Sequence, residues 1–215
     1  MEIKVVRQIM EWNENCHDEI QKYLDDKKVF LINVMGSPGA GKTTFIKAII
    51  NNLRDKYNIG VIEGDIASKI DAEKIAEIGI PVVELNTDGA CHIEAMSIKN
   101  ILPNFDLDNL DILIVENIGN LVCPAEFDIG EHLKIAILSV PEGDDKVPKY
   151  PLMFTRSNAL IINKFDLKDI FNFDDKKVEN EVKTINKNSS IFKVNSVNQN
   201  GIREVAEWIE DKVKK

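Results

Sequence analysis

GSPGAGKT, Gly36 to Thr43, decides how the rest of the chain is read. It matches G-x-x-x-x-G-K-S/T and stands between the apolar run VFLINVM (29 to 35) and a stretch of helical periodicity at about 43 to 56, the strand–loop–helix context this motif requires. Its glycines let backbone N–H groups close around phosphate oxygens at a helix N-terminus, where the helix dipole also favours negative charge. Gly36, Ser37, Pro38, Gly39, Ala40, Gly41, Lys42 and Thr43, with Thr44 behind them, are therefore expected to cradle a nucleotide polyphosphate. Lys42 adds a point charge to the β- and γ-phosphates, and Thr43 offers a hydroxyl to Mg²⁺.

On both sides of this motif, short runs rich in Val and Ile alternate with stretches of helical periodicity, as in βαβ units around a parallel sheet. The runs are 29–35, 59–64, 81–85, 110–117, 133–140, 159–163 and 191–195, each nearly all apolar, as strands covered on both faces should be. Helices are expected over about 43–56, 68–78, 92–101, 176–186 and 202–213. Ile9, Met10, Cys16, Ile20 and Leu24 recur at roughly helical spacing, so 1–27 reads as a helical segment packed on the sheet. The fold class is α/β, a P-loop NTPase with a mostly parallel sheet flanked by helices on both faces, and 1–215 reads as one domain. PEGDDKVPKYP (141 to 151), charged and with three prolines, reads as a loop.

Composition sets the surroundings. A chain of 215 residues with 44% hydrophobic residues has enough apolar material for a substantial core, which excludes disorder. The net charge of −9 argues against sequence-wide attraction to nucleic acid or anionic lipid. Cys16, Cys91 and Cys123 are odd in number and sparse, unlike a secreted disulfide scaffold. No run reaches the length of a membrane span and MEIKVVRQIM lacks a signal-peptide core, so the expected location is the cytoplasm.

NKFD, Asn163 to Asp166, ends the apolar strand ALIIN at the carboxyl edge of the expected sheet, where α/β proteins bind ligands. There Asp166 can accept from the guanine N1 and N2 donors, a pair adenine lacks. Asn163 would brace the loop and the Lys164 stem would cover the base face. SVNQNG, beginning at Ser196, follows the next strand and would close over the base. Two more loops are expected near the γ-phosphate and its Mg²⁺. EGDIASKIDAE supplies Asp65 and Asp71, either of which can hold a metal-bound water or orient the attacking one; capping of the next helix is the competing role for Asp65. ENIG supplies Glu116 as a Walker-B carboxylate and the Gly119 N–H as a γ-phosphate contact, which makes this loop a switch. Lys146 and Lys149 offer positive charge that could reach nucleotide, with a solvated loop as the alternative.

TDGACHIEAM sets Cys91 beside His92, and Cys123 lies four residues beyond Gly119. Two thiolates and an imidazole suit Zn²⁺ or Ni²⁺, with a fourth position left for water or a second subunit; small buried hydrophobes are the alternative for the cysteines. Cys16 and His17 are adjacent, but neighbours on a helix point about 100° apart, so they are read as structural.

GSPGAGKTT, EGDIAS, DGACHIEAM, ENIGNLVCP, PEGDDKVPKYP and NKFD occur in the order in which they occur in the HypB family, and the chain resembles that family over nearly its whole length. HypB proteins are GTPases that assist nickel insertion during nickel–iron hydrogenase maturation, near the urease-nickel GTPases in a class that dimerises around nucleotide. The resemblance implies a GTP-hydrolysing metallochaperone that couples GTP and GDP to Ni²⁺ or Zn²⁺ at Cys91, His92 and Cys123. It further implies a nucleotide-dependent homodimer, a nickel-insertion accessory protein and the hydrogenase large subunit as partners. Many members begin with a cysteine-rich or histidine-rich stretch; this chain has neither, so the resemblance extends to nucleotide-gated handling rather than storage. A urease-type nickel GTPase, a GTP-clamped metal binder without turnover and a P-loop kinase are the competing readings, the last disfavoured by NKFD and by a total of four arginines.

Overall fold

The computed structural model describes residues 2–65, 78–87 and 89–214, with side chains from residue 13 onward except that of Asp65. The strands are β1 (Phe30–Gly36), β2 (Ile59–Asp65), β3 (Val82–Asn86), β4 (Ile112–Glu116), β5 (Leu133–Ser139), β6 (Ala159–Asn163) and β7 (Ser190–Lys193). The helices among the described residues are α1 (Glu2–Lys27), α2 (Lys42–Leu53), α3 (Ala95–Ile101), α4 (Cys123–Glu126), α5 (Lys146–Lys149), α6 (Pro151–Arg156), α7 (Asp175–Ile185) and α8 (Ile202–Val213). One seven-stranded sheet runs β3-β2-β4-β1-β5-β6-β7, and every neighbouring pair is parallel. The helix expected over 68–78 lies outside the described residues, as do Asp71 and the side chains of Ile9 and Met10.

The alternation of side chains along β1 explains the layering. Ile32 and Val34 point into a cluster with Phe45, Ile46 and Ile49 of α2 and Val205 and Ile209 of α8. Leu31 faces the other way and meets Ile20 and Leu24 of α1 and Ile98 of α3. Met35, on the same side as Leu31, joins a third cluster with Met153 and Phe154 of α6 and Val178 and Val182 of α7. Each such aliphatic side chain, removed from water, contributes about 1.5–3 kcal/mol. On α1, Cys16, Ile20 and Leu24 recur every fourth residue and are buried as one stripe.

The segment 141–151 departs from its reading as a loop. Val140–Glu142 is a 3₁₀ turn, α5 follows, and Pro151 opens α6. Proline breaks a helix interior, but in a first turn its missing N–H costs nothing. Pro141, Pro151 and Pro124 of α4 occupy such positions, so residues that read as punctuation serve here as starters. Glu142 completes a capping box with Ser139, a signal of order inside the same charged stretch.

Candidate functional site

The central strand β1 ends where the sheet order places β4 on one side and β5 on the other, and the phosphate loop turns off its carboxyl end into α2. A cleft of about 820 Å³ opens there, lined by Pro38, Gly39, Gly41, Lys42, Thr43 and Thr44, and by Glu63, Glu116, Gly119, Lys164 and Ser196 from other elements. Gly41, the N-cap of α2, has φ of 93°, in the left-handed region. A Cβ there would also stand 2.6 Å from Asn163 Nδ2, so glycine is required twice over. Lys42 Nζ donates to Gly36 O at 3.4 Å and Ser37 O at 3.2 Å, which holds the ammonium over the loop.

Carboxylates arrive at this cleft through strand register. Val61 and Ile114 lie in the α2 face of the core; two residues further along β2 and β4, Glu63 and Glu116 reach the same face at the strand ends, in register with each other. Both are buried, and Thr43 Oγ1 donates to Glu116 Oε1 at 2.9 Å. A hydroxyl and carboxylate oxygens beside a polyphosphate cradle are the hard donor set that fits Mg²⁺. Glu63 escaped the sequence reading, which stopped at Asp65 two residues later. Its signal was the apolar pattern of β2 breaking at a carboxylate opposite Glu116. Asp65 closes β2, and its side chain and all of Asp71 lie outside the described residues.

The loop after β6 is knitted to the phosphate loop. Asn163 Nδ2 donates to Ala40 O at 2.9 Å, while its Oδ1 accepts from Lys164 N–H at 2.8 Å and from Ser196 N–H and Oγ at 3.2 and 2.9 Å. One buried amide therefore ties three loops together. Lys164 adopts φ of 55° and sends Nζ to Gly39 O at 2.8 Å, laying its stem along the cleft. Asp166 is exposed on the following 3₁₀ turn.

Segment 141–151 meets the phosphate loop through an acidic residue. Glu142 accepts from the Ser37 hydroxyl with Oε1 and from Ser139 N–H and Oγ, both at 2.7 Å, with Oε2. Lys146 and Lys149 both donate to Asp145, and their hydrogen bonds hold its carboxyl well below the usual carboxylate range. No described arginine lines the cleft.

A second centre lies on the same edge of the sheet. Cys91 stands in the β3–α3 connection, after a turn with Gly89 and Ala90 N–H bonded to Thr87 O at 3.0 Å, and Cys123 is the first residue of α4. Sγ of Cys91 is 2.8 Å from Sγ of Cys123 and 3.6 Å from His92 Nδ1, and the three residues offer ligand atoms within 4.8 Å of one another. The His92 ring is stacked on Phe127 at 4.0 Å. Two thiolates on one tetrahedral metal stand about 3.7 Å apart, given metal–sulfur bonds near 2.3 Å, so the sulfurs need part by only about 1 Å. Cys16 and His17 lie elsewhere: the thiol is buried against the sheet and His17 Nδ1 accepts from Gly130 N–H at 2.8 Å.

The proton inventory of this triplet sets a pH dependence. The neighbouring Cys123 sulfur, then burial, pushes the Cys91 thiol up, and burial pulls His92 down. At neutral pH the imidazole is ready to bind, while Cys91 must lose a proton. Metal affinity is therefore expected to fall at least about tenfold per pH unit as pH is lowered from about 8 to 6.5, and more steeply once His92 also protonates. Isothermal titration with Ni²⁺ across that range checks the slope; a flat profile would remove Cys91 from the ligand set.

A phosphate loop on the central strand of an all-parallel sheet, with a buried carboxylate accepting from its threonine, defines a P-loop nucleotide-binding protein. Residues 30–193 match the CobW/HypB/UreG nucleotide-binding domain, and the chain belongs to that family. It is 39% identical over 212 residues to a probable hydrogenase maturation factor HypB of Methanocaldococcus jannaschii, covering 99% of this chain and 96% of that one. It is 36% identical to hydrogenase maturation factor HypB of Escherichia coli, covering 97% of this chain and 72% of that protein. The crystal structure of HypB from Helicobacter pylori in complex with nickel superposes with a TM-score of 0.88 at 33% identity, over 94% of this chain and 95% of that one. A signal recognition particle receptor FtsY from Elizabethkingia anophelis, 16% identical with a TM-score of 0.58, shares the fold; it covers 99% of this chain and 80% of that one.

Proposed function

We propose that this protein hydrolyses GTP to GDP and phosphate and uses the nucleotide cycle to take up and release nickel, as a hydrogenase maturation factor. The observation that carries the reading is the nearness of the two centres along the chain. Gly119 is packed so closely on the phosphate loop that a Cβ would stand 2.8 to 3.0 Å from three atoms of Pro38, and Cys123 is four residues further on. Whatever reorders the loop around a γ-phosphate must therefore move a thiolate.

In this reading Lys42 and the loop N–H groups hold the β- and γ-phosphates, and Thr43 with Glu116 and Glu63 would hold Mg²⁺, which supplies charge neutralisation when bound. Asp65 and Asp71 would hold a Mg²⁺-bound water or orient the attacking one. Asp166 selects guanine, Asn163 and Ser196 brace its loop, and Lys164 covers the base. Cys91, His92 and Cys123 hold nickel as cargo, with zinc as the competing metal and the fourth position completed by water or a second subunit. The chain works as one unit that includes 1–27, in the cytoplasm and as a nucleotide-dependent homodimer. It would serve a second nickel-insertion protein and a hydrogenase large subunit.

The test is a calorimetric Ni²⁺ titration in GDP and in a non-hydrolysable GTP analogue. The two affinities are expected to differ by about 5- to 150-fold, and by reciprocity nickel must change the affinity for the analogue relative to GDP by the same factor. Equal nickel affinities in both nucleotide states would overturn the coupling.

A further inference from the structure

Asn120 stands where the nucleotide loop and both thiol-bearing segments meet. Its backbone N–H donates to the carbonyl of Gly36 at 3.1 Å, so its position is set by the first residue of the phosphate loop. Its side chain then turns to the other centre. Nδ2 donates to Cys91 O at 3.3 Å, and Oδ1 accepts from the Val122 N–H, one residue before Cys123, at 2.8 Å.

The imidazole is held from a different frame. Ile93, the residue after His92, donates its N–H to Asn117 Oδ1 at 3.4 Å, and Asn117 Nδ2 donates to Asn33 Oδ1 at 3.1 Å. Asn33 Nδ2 continues to Glu131 Oε1 at 3.0 Å, and the Asn117 N–H is bonded to Val34 O at 2.9 Å. Asn33 of β1 and Asn117, the residue after β4, are fully buried, and the His92 ring is stacked on Phe127, the residue after α4. The backbone after His92 is thus tied through Asn117 to β1, whereas the backbone beside each thiol is tied to Asn120, whose own N–H is bonded at the first residue of the phosphate loop.

We propose that Asn120 is the positioning residue that transmits nucleotide state to the metal centre, through its hydrogen bonds to the Cys91 carbonyl and to the Val122 N–H beside Cys123. The required motion is small, because the sulfurs need separate by only about 1 Å to accept a metal. The inference rests on the coupling proposed above and deepens it by naming its link. The Asn120 side chain is absent from the residues lining the cleft.

The experiment is a Ni²⁺ titration of the full chain in GDP and in a non-hydrolysable GTP analogue, for the parent, Asn120→Ala and Asn120→Asp. Asn120→Asp is near-isosteric and keeps the acceptor for Val122 but loses the donor to Cys91, which isolates that bond and guards against misfolding of the alanine variant. The ratio of nickel affinities between nucleotide states is expected to fall by about 5-fold or more in Asn120→Ala and to shrink in Asn120→Asp, with GDP affinity retained. A parent-sized ratio in both variants, with nickel affinity lowered equally in both nucleotide states, would reduce Asn120 to a structural role and overturn the inference. A parent ratio of one would instead sink the coupling itself, and the inference with it.

Discussion

Lys42→Ala is expected to lower multiple-turnover phosphate release from GTP by about 10³-fold or more while the protein stays folded. The ammonium sits over the phosphate loop, bonded to the carbonyls of Gly36 and Ser37, and the side chain belongs to none of the apolar clusters. The loop keeps its shape without it, because Gly41 and the Asn163 bond to Ala40 O set its path. In the proposed hydrolysis, what would disappear is a charge on the β- and γ-phosphates, and a 10³-fold loss corresponds to about 4 kcal/mol. Such a charge cannot be replaced by water in a cleft walled by Glu63 and Glu116, whose carboxylates make an unneutralised polyphosphate still less welcome. Phosphate release is measured from GTP and from ATP under the same conditions. Undiminished release in a folded variant would remove Lys42 from the chemistry. Parent release from ATP equal to that from GTP would remove Asp166 from base selection.

The sheet was legible because its strands carry their own signal. Seven apolar runs correspond to seven strands, with ends that differ by a residue or two, since an inner strand buried on both faces has no polar side to blur its limits, while the edge strands β3 and β7 are half-buried. The order β3-β2-β4-β1-β5-β6-β7 was not legible: register and neighbours are decided by which helices cover which face, and nothing local in VFLINVM says that β4 and β5 flank it. The short helices α4, α5 and α6 were missed for a different reason. Pieces of four to six residues have no room for helical periodicity, and the prolines at 124 and 151 signal a helix start only once the flanking strand ends are known.

At the nucleotide cleft, motif residues were visible and their supports were not. Glu142 reaches Ser37 from more than a hundred positions away, and Glu63 meets Glu116 only through the register of β2 on β4. Such partners are set by topology, so a single sequence offers them as anonymous acidic residues. Lys146 and Lys149, read from sequence either as able to reach nucleotide or as part of a solvated loop, each engage Asp145 one to four residues away.

Cys123→Ala is expected to lower nickel affinity by more than about 100-fold, beyond the loss typical of removing a group that merely supports a ligand. Losing Cys123 leaves Cys91 and His92 on one short connection, and a two-donor site on the exposed edge of the sheet cannot hold a metal against solvent. Cys91→Ala should cost as much, since it removes the other sulfur. The thiolate-to-nickel charge-transfer absorption should weaken in each. His92→Ala is expected to keep that absorption while losing affinity, because both sulfurs remain. Cys16→Ala is the internal control: its thiol is buried in the α1 stripe, so the variant should melt earlier yet bind nickel as the parent does. The measurement is competition of each variant with a coloured nickel chelator at fixed pH, since affinity also tracks the Cys91 proton. If Cys91→Ala, His92→Ala and Cys123→Ala all compete as well as the parent, the metal is bound elsewhere. The nearness of the three residues would then be a consequence of packing, with Asn120 merely closing a loop between them.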